Sequence, residues 1–145
     1  MPAPSRVDTS GLMELLSVSL AAYYGDFTVA AASENLTASQ GKTLNVLRRG
    51  PASMSTLATT LTCDASNMTG IVDRLEKRGL VRREPSPSDR RVKNVLLTEE
   101  GEQVIDVIRG KMNKTLAGLS RLSEQEQDTL YALLERAFAS QPTTA

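Results

Sequence analysis

The chain reads as a mainly α protein interrupted once by a small antiparallel β-hairpin, and three observations carry that reading. Apolar residues recur at three- and four-residue spacing from Leu12 to Phe27 and again from Val104 to Phe138. The period changes near residue 80, where Leu80-Val81-Arg82-Arg83 and Lys93-Asn94-Val95-Leu96-Leu97 flank the loop Pro85-Ser86-Pro87-Ser88-Asp89. Helix punctuation falls between the periodic stretches: Thr37 with Gln40 and Ser123 with Glu126 form capping boxes, and Gly50-Pro51 and Gly79 are stops. The expected order is α-α-α-α-β-β-α-α.

Taken in order, residues 1–10 are Pro/Ala-rich and unpatterned, a mobile tail. Thr9 or Ser10 opens a helix to about Ala32 that carries Leu12, Leu15, Leu16, Leu20, Tyr23, Tyr24 and Phe27. Thr37 caps a second helix ending at Arg49. Ser53 caps a short third one ending near Leu61, with Leu57, Ala58 and Leu61 inward. Asp64 caps a fourth, Ala65 to Arg78, and Gly79 stands where a left-handed residue is needed. After the hairpin, Thr98 opens a helix with Glu99 and Glu100 at its positive end. It is expected to run unbroken with Val104, Ile105, Ile108, Met112, Leu116 and Leu119 on one side. A last helix from Ser123 carries Leu130, Leu133, Leu134 and Phe138, and residues 141–145 form a second tail.

Composition narrows the function. The 145 residues include no His, no Trp and one cysteine, Cys63, so the core is aliphatic and no internal disulfide framework forms. There is no Gly-rich phosphate loop and no nucleophile elbow. Neither a catalytic residue, a metal-ligand set nor a cofactor is expected. No apolar run approaches the uninterrupted length of a membrane span, and the start MPAPSRVD lacks a secretory layout, so a cytoplasmic protein without a membrane partner is expected.

The formal net charge is zero, but the charge is uneven. From Gly70 to Thr98 eight basic residues face four acidic ones, whereas from Glu99 to the end eight acids face five bases. Because screening confines attraction to about 8–10 Å at physiological salt, the basic segment acts locally. The helices Ser53–Leu61 and Asp64–Arg78 match a helix-turn-helix, whose second helix lies in the major groove. Met68, Ile71, Val72 and Leu75 form its inward stripe, leaving Ser66, Asn67, Thr69, Gly70, Asp73, Arg74 and Lys77 outward. Asn67 has the donor and acceptor to read adenine, and Thr69 offers a hydroxyl or a methyl to thymine.

Three stretches carry a resemblance: LTASQGKTLNVL (Leu36–Leu47), DRLEKRGLVRREPSPSDRRVKNVLLTEEG (Asp73–Gly101) and LSEQEQDTLYALLERA (Leu122–Ala137). With Asp89, Arg91, Leu97 and Thr98 at their spacing, the chain resembles the MarR family of winged helix-turn-helix transcriptional regulators. The resemblance implies a homodimer whose N- and C-terminal helices interlock. It divides the chain into a dimerisation helix at 11–35, a winged helix-turn-helix DNA-binding domain at 36–98 and dimerisation helices at 99–140. It makes Arg91 the wing-tip minor-groove residue, with Arg90 a phosphate or second groove contact. It also implies a small-molecule effector pocket beside the first and second helices, for which Tyr23, Tyr24, Phe27 and Gly41 are candidates. Gly41 stands where a large aromatic is common, leaving room, and Gly70 stands where an Arg is common, removing a guanine reader.

Several residues have plainer readings. Arg82 and Arg83 are divided between phosphate and water. Lys77 and Arg78 favour their own helix end. Asp73, on a DNA-facing surface, is expected to pair with a wing arginine and fix the hairpin to the helix. Ser53 and Ser55 combine capping with phosphate binding, and Cys63 is a packing residue rather than an oxidant sensor. The expected function is therefore sequence-specific regulation of transcription, as a repressor homodimer on double-stranded DNA released by an effector. The alternative is a winged helix used for protein contact without specific DNA readout.

Overall fold

The structure is a computed structural model and describes residues 6–139. Its elements are α1 (Thr9–Ser33), α2 (Ala38–Leu47), β1 (Ala52–Ser53), α3 (Met54–Thr60), α4 (Ala65–Lys77), β2 (Val81–Pro85), β3 (Lys93–Leu97), α5 (Glu99–Gly110), α6 (Asn113–Leu119) and α7 (Glu124–Phe138). The described residues fall into two compact units, one ending at Met112 and the other beginning at Asn113.

Most starts and stops obey the capping logic. Thr37 accepts from the Gln40 N–H while Gln40 accepts from the Thr37 N–H, and Ser53 and Asp64 accept from the N–H groups of Thr56 and Asn67. Arg78 ends α4 and Gly79 follows at φ +73°. The first helix differs slightly from expectation. Its cap is Asp8, which accepts from the Gly11 N–H at 2.8 Å, so Thr9 and Ser10 are helical rather than tail. The tail expected at 141–145 lies outside the described residues.

Two further expectations are corrected. The sheet has three strands in the order β1-β3-β2, because Ala52 and Ser53 pair antiparallel with Val95 and Asn94. The helix expected to run from Thr98 to Leu119 breaks at Gly110, a poor helix former. The Lys111 N–H closes the turn onto the carbonyls of Val107 and Ile108, and α6 restarts at Asn113. The 25-residue α1 is long and apolar enough to cross a bilayer by length and composition alone, but Glu14 and Asp26 interrupt its apolar run and Phe27, Ala30 and Ala31 are buried in the protein's own core.

The core of the first unit joins Phe27, Ala30 and Ala31 of α1 to Leu44 and Leu47, Leu57, the α4 stripe, Leu80, Val81 and Val95, and Ile105, Ile108 and Met112. Gly101 makes one close approach possible. A Cβ there would lie 2.0 Å from the Leu80 carbonyl oxygen, so only glycine lets α5 start against the base of the hairpin. Thr98 fixes the same corner, donating its hydroxyl to the Gly79 carbonyl at 2.6 Å. In the second unit a capping box at Ser123 and Glu126 opens α7, and Gln127 donates to the Leu119 and Leu122 carbonyls. None of its described side chains is buried.

Candidate nucleic-acid interface

The fourth helix presents the expected two faces. Met68, Ile71, Val72 and Leu75 are at most 5% exposed, and Ser66, Asn67, Thr69, Asp73, Arg74 and Lys77 face solvent. Asp64 organises the start of this helix: its Oδ1 accepts from the Asn67 N–H at 2.7 Å and from the Ser66 hydroxyl at 2.9 Å. The Asn67 hydrogen bond, then that of Ser66, hold the Asp64 carboxyl below its ordinary value. The Thr69 hydroxyl donates to the Ala65 carbonyl at 2.9 Å, which leaves its methyl and an oxygen lone pair for any outside contact. Asn67 keeps its side-chain amide exposed. An ideal Cβ on Gly70 would meet nothing within 4 Å, so no packing demands glycine there.

The strand β1 adds a link that sequence reading missed. Because Ser53 both pairs with Asn94 and caps α3, the start of that helix is tied to the middle strand of the hairpin sheet. Ser53 is half-buried and shares a 3.1 Å contact with the Ser55 hydroxyl. A two-residue strand leaves no periodic signal; only the long-range pairing defines it.

At the far end of the hairpin, Asp89 builds the turn. Its Oδ1 accepts from the Arg91 N–H at 3.0 Å, its carbonyl accepts from the Val92 N–H, and the Ser86 N–H closes onto the Val92 carbonyl at 2.7 Å. Asp89 is thus an Asx-turn residue that holds the backbone while Arg90 and Arg91 point into solvent, without an ion pair among the described residues.

The cations divide into two sets. Arg83 reaches from β2 to α4, with Nη2 on Asp73 at 2.6 Å and Nη1 on Glu76 at 2.7 Å. Partial burial opposes its charge, but the Asp73 hydrogen bond and both carboxylates outweigh this and raise its pKa further above the ordinary value. This is the expected pairing of Asp73 with a wing arginine. Glu76 is a second partner that the i, i+3 spacing would have revealed. Arg82 pairs with Glu84 at 2.7 Å. The expectation that Arg83 faces phosphate or water is corrected accordingly, since it is held by the two carboxylates of α4, whereas Arg82 stays exposed beside Glu84. Arg78 likewise does more than favour its own helix end, donating to the Asn35 and Glu34 carbonyls at 2.9 and 3.2 Å. Arg74, Lys77, Arg90, Arg91 and Lys93 have no ion pair among the described residues. They form the second, available set.

The aromatic candidates lie together but do not frame a hollow at Gly41. Tyr23 stacks on Phe27 with ring centres 6.4 Å apart and meets Tyr24 edge-on at 5.3 Å, while the Lys42 ammonium sits 4.3 Å from the Tyr24 ring centre. A Cβ on Gly41 would come within 2.9 Å of the Phe27 ring. The room expected at Gly41 is therefore filled by Phe27, which is 1% exposed. Cys63 packs half-buried with its sulfur 3.7 Å from that of Met68.

The geometry has counterparts among known proteins. The MarR family model matches residues 36–93. The crystal structure of a probable transcriptional regulator from Pseudomonas aeruginosa is 31% identical, covers 90% of this chain and 98% of that one, and superposes with a TM-score of 0.61. This chain belongs to the MarR family. Among curated relatives, the HTH-type transcriptional repressor NicR of Pseudomonas putida is 40% identical over 83 residues, 57% of this chain and 52% of that protein. The HTH-type transcriptional regulator PecS of Dickeya dadantii is 38% identical over 106 residues, 70% of this chain and 64% of that protein. The chain spans 52% to 64% of the length of the curated relatives it matches. These relatives carry the names of transcriptional regulators, not of enzymes.

Proposed function

We propose that this MarR-family chain is a cytoplasmic transcription regulator, acting as a repressor, that binds a pseudo-palindromic DNA operator as a homodimer. The observation that carries the reading is the Arg83 clamp. It joins the hairpin to α4 while leaving Arg74, Lys77, Arg90, Arg91 and Lys93 available to phosphate or groove. On this reading residues 36–98 form the DNA-binding domain. Asn67 and Thr69 meet base edges, Ser66 and Arg74 flank them, Ser53 and Ser55 approach phosphate, Arg91 enters the minor groove, and Arg90 makes a phosphate or second groove contact. Residues 11–35 and 99–140 supply the dimer. Leu12, Met13, Leu15 and Val18 of α1 and Leu130, Tyr131, Leu134 and Phe138 of α7 are exposed, and apolar surface on this scale favours a partner. A small-molecule effector would act at the Tyr23–Tyr24 flank beside Lys42 rather than in the space that Phe27 fills.

The test is selection of bound sequences from a random duplex pool with the full chain, with sedimentation of the chain and its complex. The expected result is an inverted repeat with half-sites about one helical turn (~34 Å) apart, bound by one dimer. Failure to enrich any sequence, or a monomer on a single half-site, would overturn the reading.

A further inference from the structure

We propose that Arg78 is a positioning residue that sets the pose of α4 against the end of α1, through a joint at Ser33–Asn35 that Lys111 also grips. The proposal rests on the preceding reading only in taking α4 as the DNA-reading helix and α1 as part of the dimer.

The joint is built from helix ends. Glu34 is the C-cap of α1, with its N–H on the Ala31 and Ala32 carbonyls. Asn35 follows at φ +58°, a left-handed conformation that asparagine tolerates better than most residues, and the Leu36 N–H returns to the Ala31 carbonyl. This turn presents the carbonyls of Glu34 and Asn35 to the Arg78 guanidinium, which donates one N–H to each. A planar fork suits two adjacent acceptors as a lysine ammonium does not. From the end of α5, Lys111 Nζ reaches the Glu34 carboxylate at 2.6 Å and the Ser33 hydroxyl at 3.1 Å. Three helix C-termini, each the negative end of its dipole, are thus joined by two cations at one turn.

The placement gives the joint its consequence. Arg78 is the C-cap of α4, and the Arg83 clamp grips the same helix at Asp73 and Glu76. One guanidinium therefore registers α4 to the wing and another registers it to α1. Lys111 stands two residues before Asn113, where the second unit begins. A displacement of α1 or of the α5 end accordingly has a polar route to the recognition helix that bypasses the apolar core.

The test uses full-length Arg78→Gln, Arg78→Lys and Glu34→Gln/Lys111→Gln. Affinity is measured on the selected operator and on versions with one base pair inserted or removed between half-sites, alongside amide hydrogen exchange without DNA. Arg78→Gln should lose about tenfold on the selected spacing and much less on the altered ones, so that spacing preference flattens at an unchanged salt slope. Arg78→Lys should recover part of the loss, and the double variant should flatten the preference in the same direction. Equal losses at every spacing would reduce Arg78 to a stabiliser and overturn the proposal. If the wild-type chain binds no DNA, the regulator reading fails and exchange alone decides. Faster exchange in Arg78→Gln confined to residues 33–36 and 75–79 supports the joint, and an unchanged pattern there sinks it.

Discussion

In α4 the four residues of the apolar stripe are 0% to 5% exposed, whereas in α7 Leu130, Tyr131, Leu133, Leu134 and Phe138 range from 37% to 69%. Both helices are amphipathic and both are capped by their own sequence, so local rules do not separate them. What differs is what each lacks. Apart from Val92, the winged-helix segment has its large apolar side chains buried or half-buried, and it carries unpaired positive charge. The terminal helices have their polar groups in water and carry uncovered apolar surface. An anion would meet the first deficit and another apolar face the second, so the proposed DNA binding and the proposed self-association fall on different parts of the chain.

The contrast is broken most severely at α7. Leu130→Glu together with Leu134→Glu should weaken self-association by more than about 100-fold, since each buried leucine is worth roughly 1.5–3 kcal/mol. Sedimentation would show a monomer, and a dimer that persists would mean that this face is not the interface. Next comes the corner that holds the hairpin. Gly101→Ala should cost about 3 kcal/mol, because the new Cβ collides with backbone rather than with a side chain that could move. An unchanged melting temperature would contradict the close approach at Leu80. Gly70→Ala should act in the opposite direction, stabilising α4 by about 1 kcal/mol, since nothing opposes a Cβ there. A loss of stability in denaturant titration would show that glycine is structurally required.

The smallest effect concerns pH. A carboxyl whose pKa is depressed in the folded state contributes stability above its unfolded value and loses it as pH falls through the folded one. Asp64 is such a group, so its cap should weaken only on the acid side of the ordinary carboxylate range. Asp64→Asn should keep the cap at neutral pH and lose part of that acid-side dependence. Identical stability profiles against pH in the two proteins would assign the acid sensitivity elsewhere.

Much of this was legible in the residues. The Met68–Leu75 stripe, the caps at Ser53, Asp64 and Ser123, and the hairpin strands follow from period and punctuation, which are local. Asp73 could be anticipated as a partner because an acid on a phosphate-facing surface needs a compensating charge. What escaped depends on distant chain. The strand β1 exists only because β3 lies beside it, and Arg78 finds carbonyls 43 and 44 residues away. The break after Gly110 is an intermediate case, since glycine gave the signal but a continuous apolar stripe argued against it. At Gly41 a missing side chain suggested a hollow, and only packing reveals that Phe27 fills it.

The central claim is that the available cations, not the clamped ones, meet DNA. The most direct measurement is the slope of log affinity against log salt on the selected operator, for the wild type, Arg91→Ala and Arg83→Gln. Six to ten phosphate contacts would reduce wild-type affinity by about 10³–10⁵ between roughly 50 and 200 mM salt. Arg91→Ala should lower the slope by about one unit for each wing engaged, and Arg83→Gln should weaken binding while leaving the slope as in the wild type. A slope that falls with Arg83→Gln and stays fixed with Arg91→Ala would contradict the assignment.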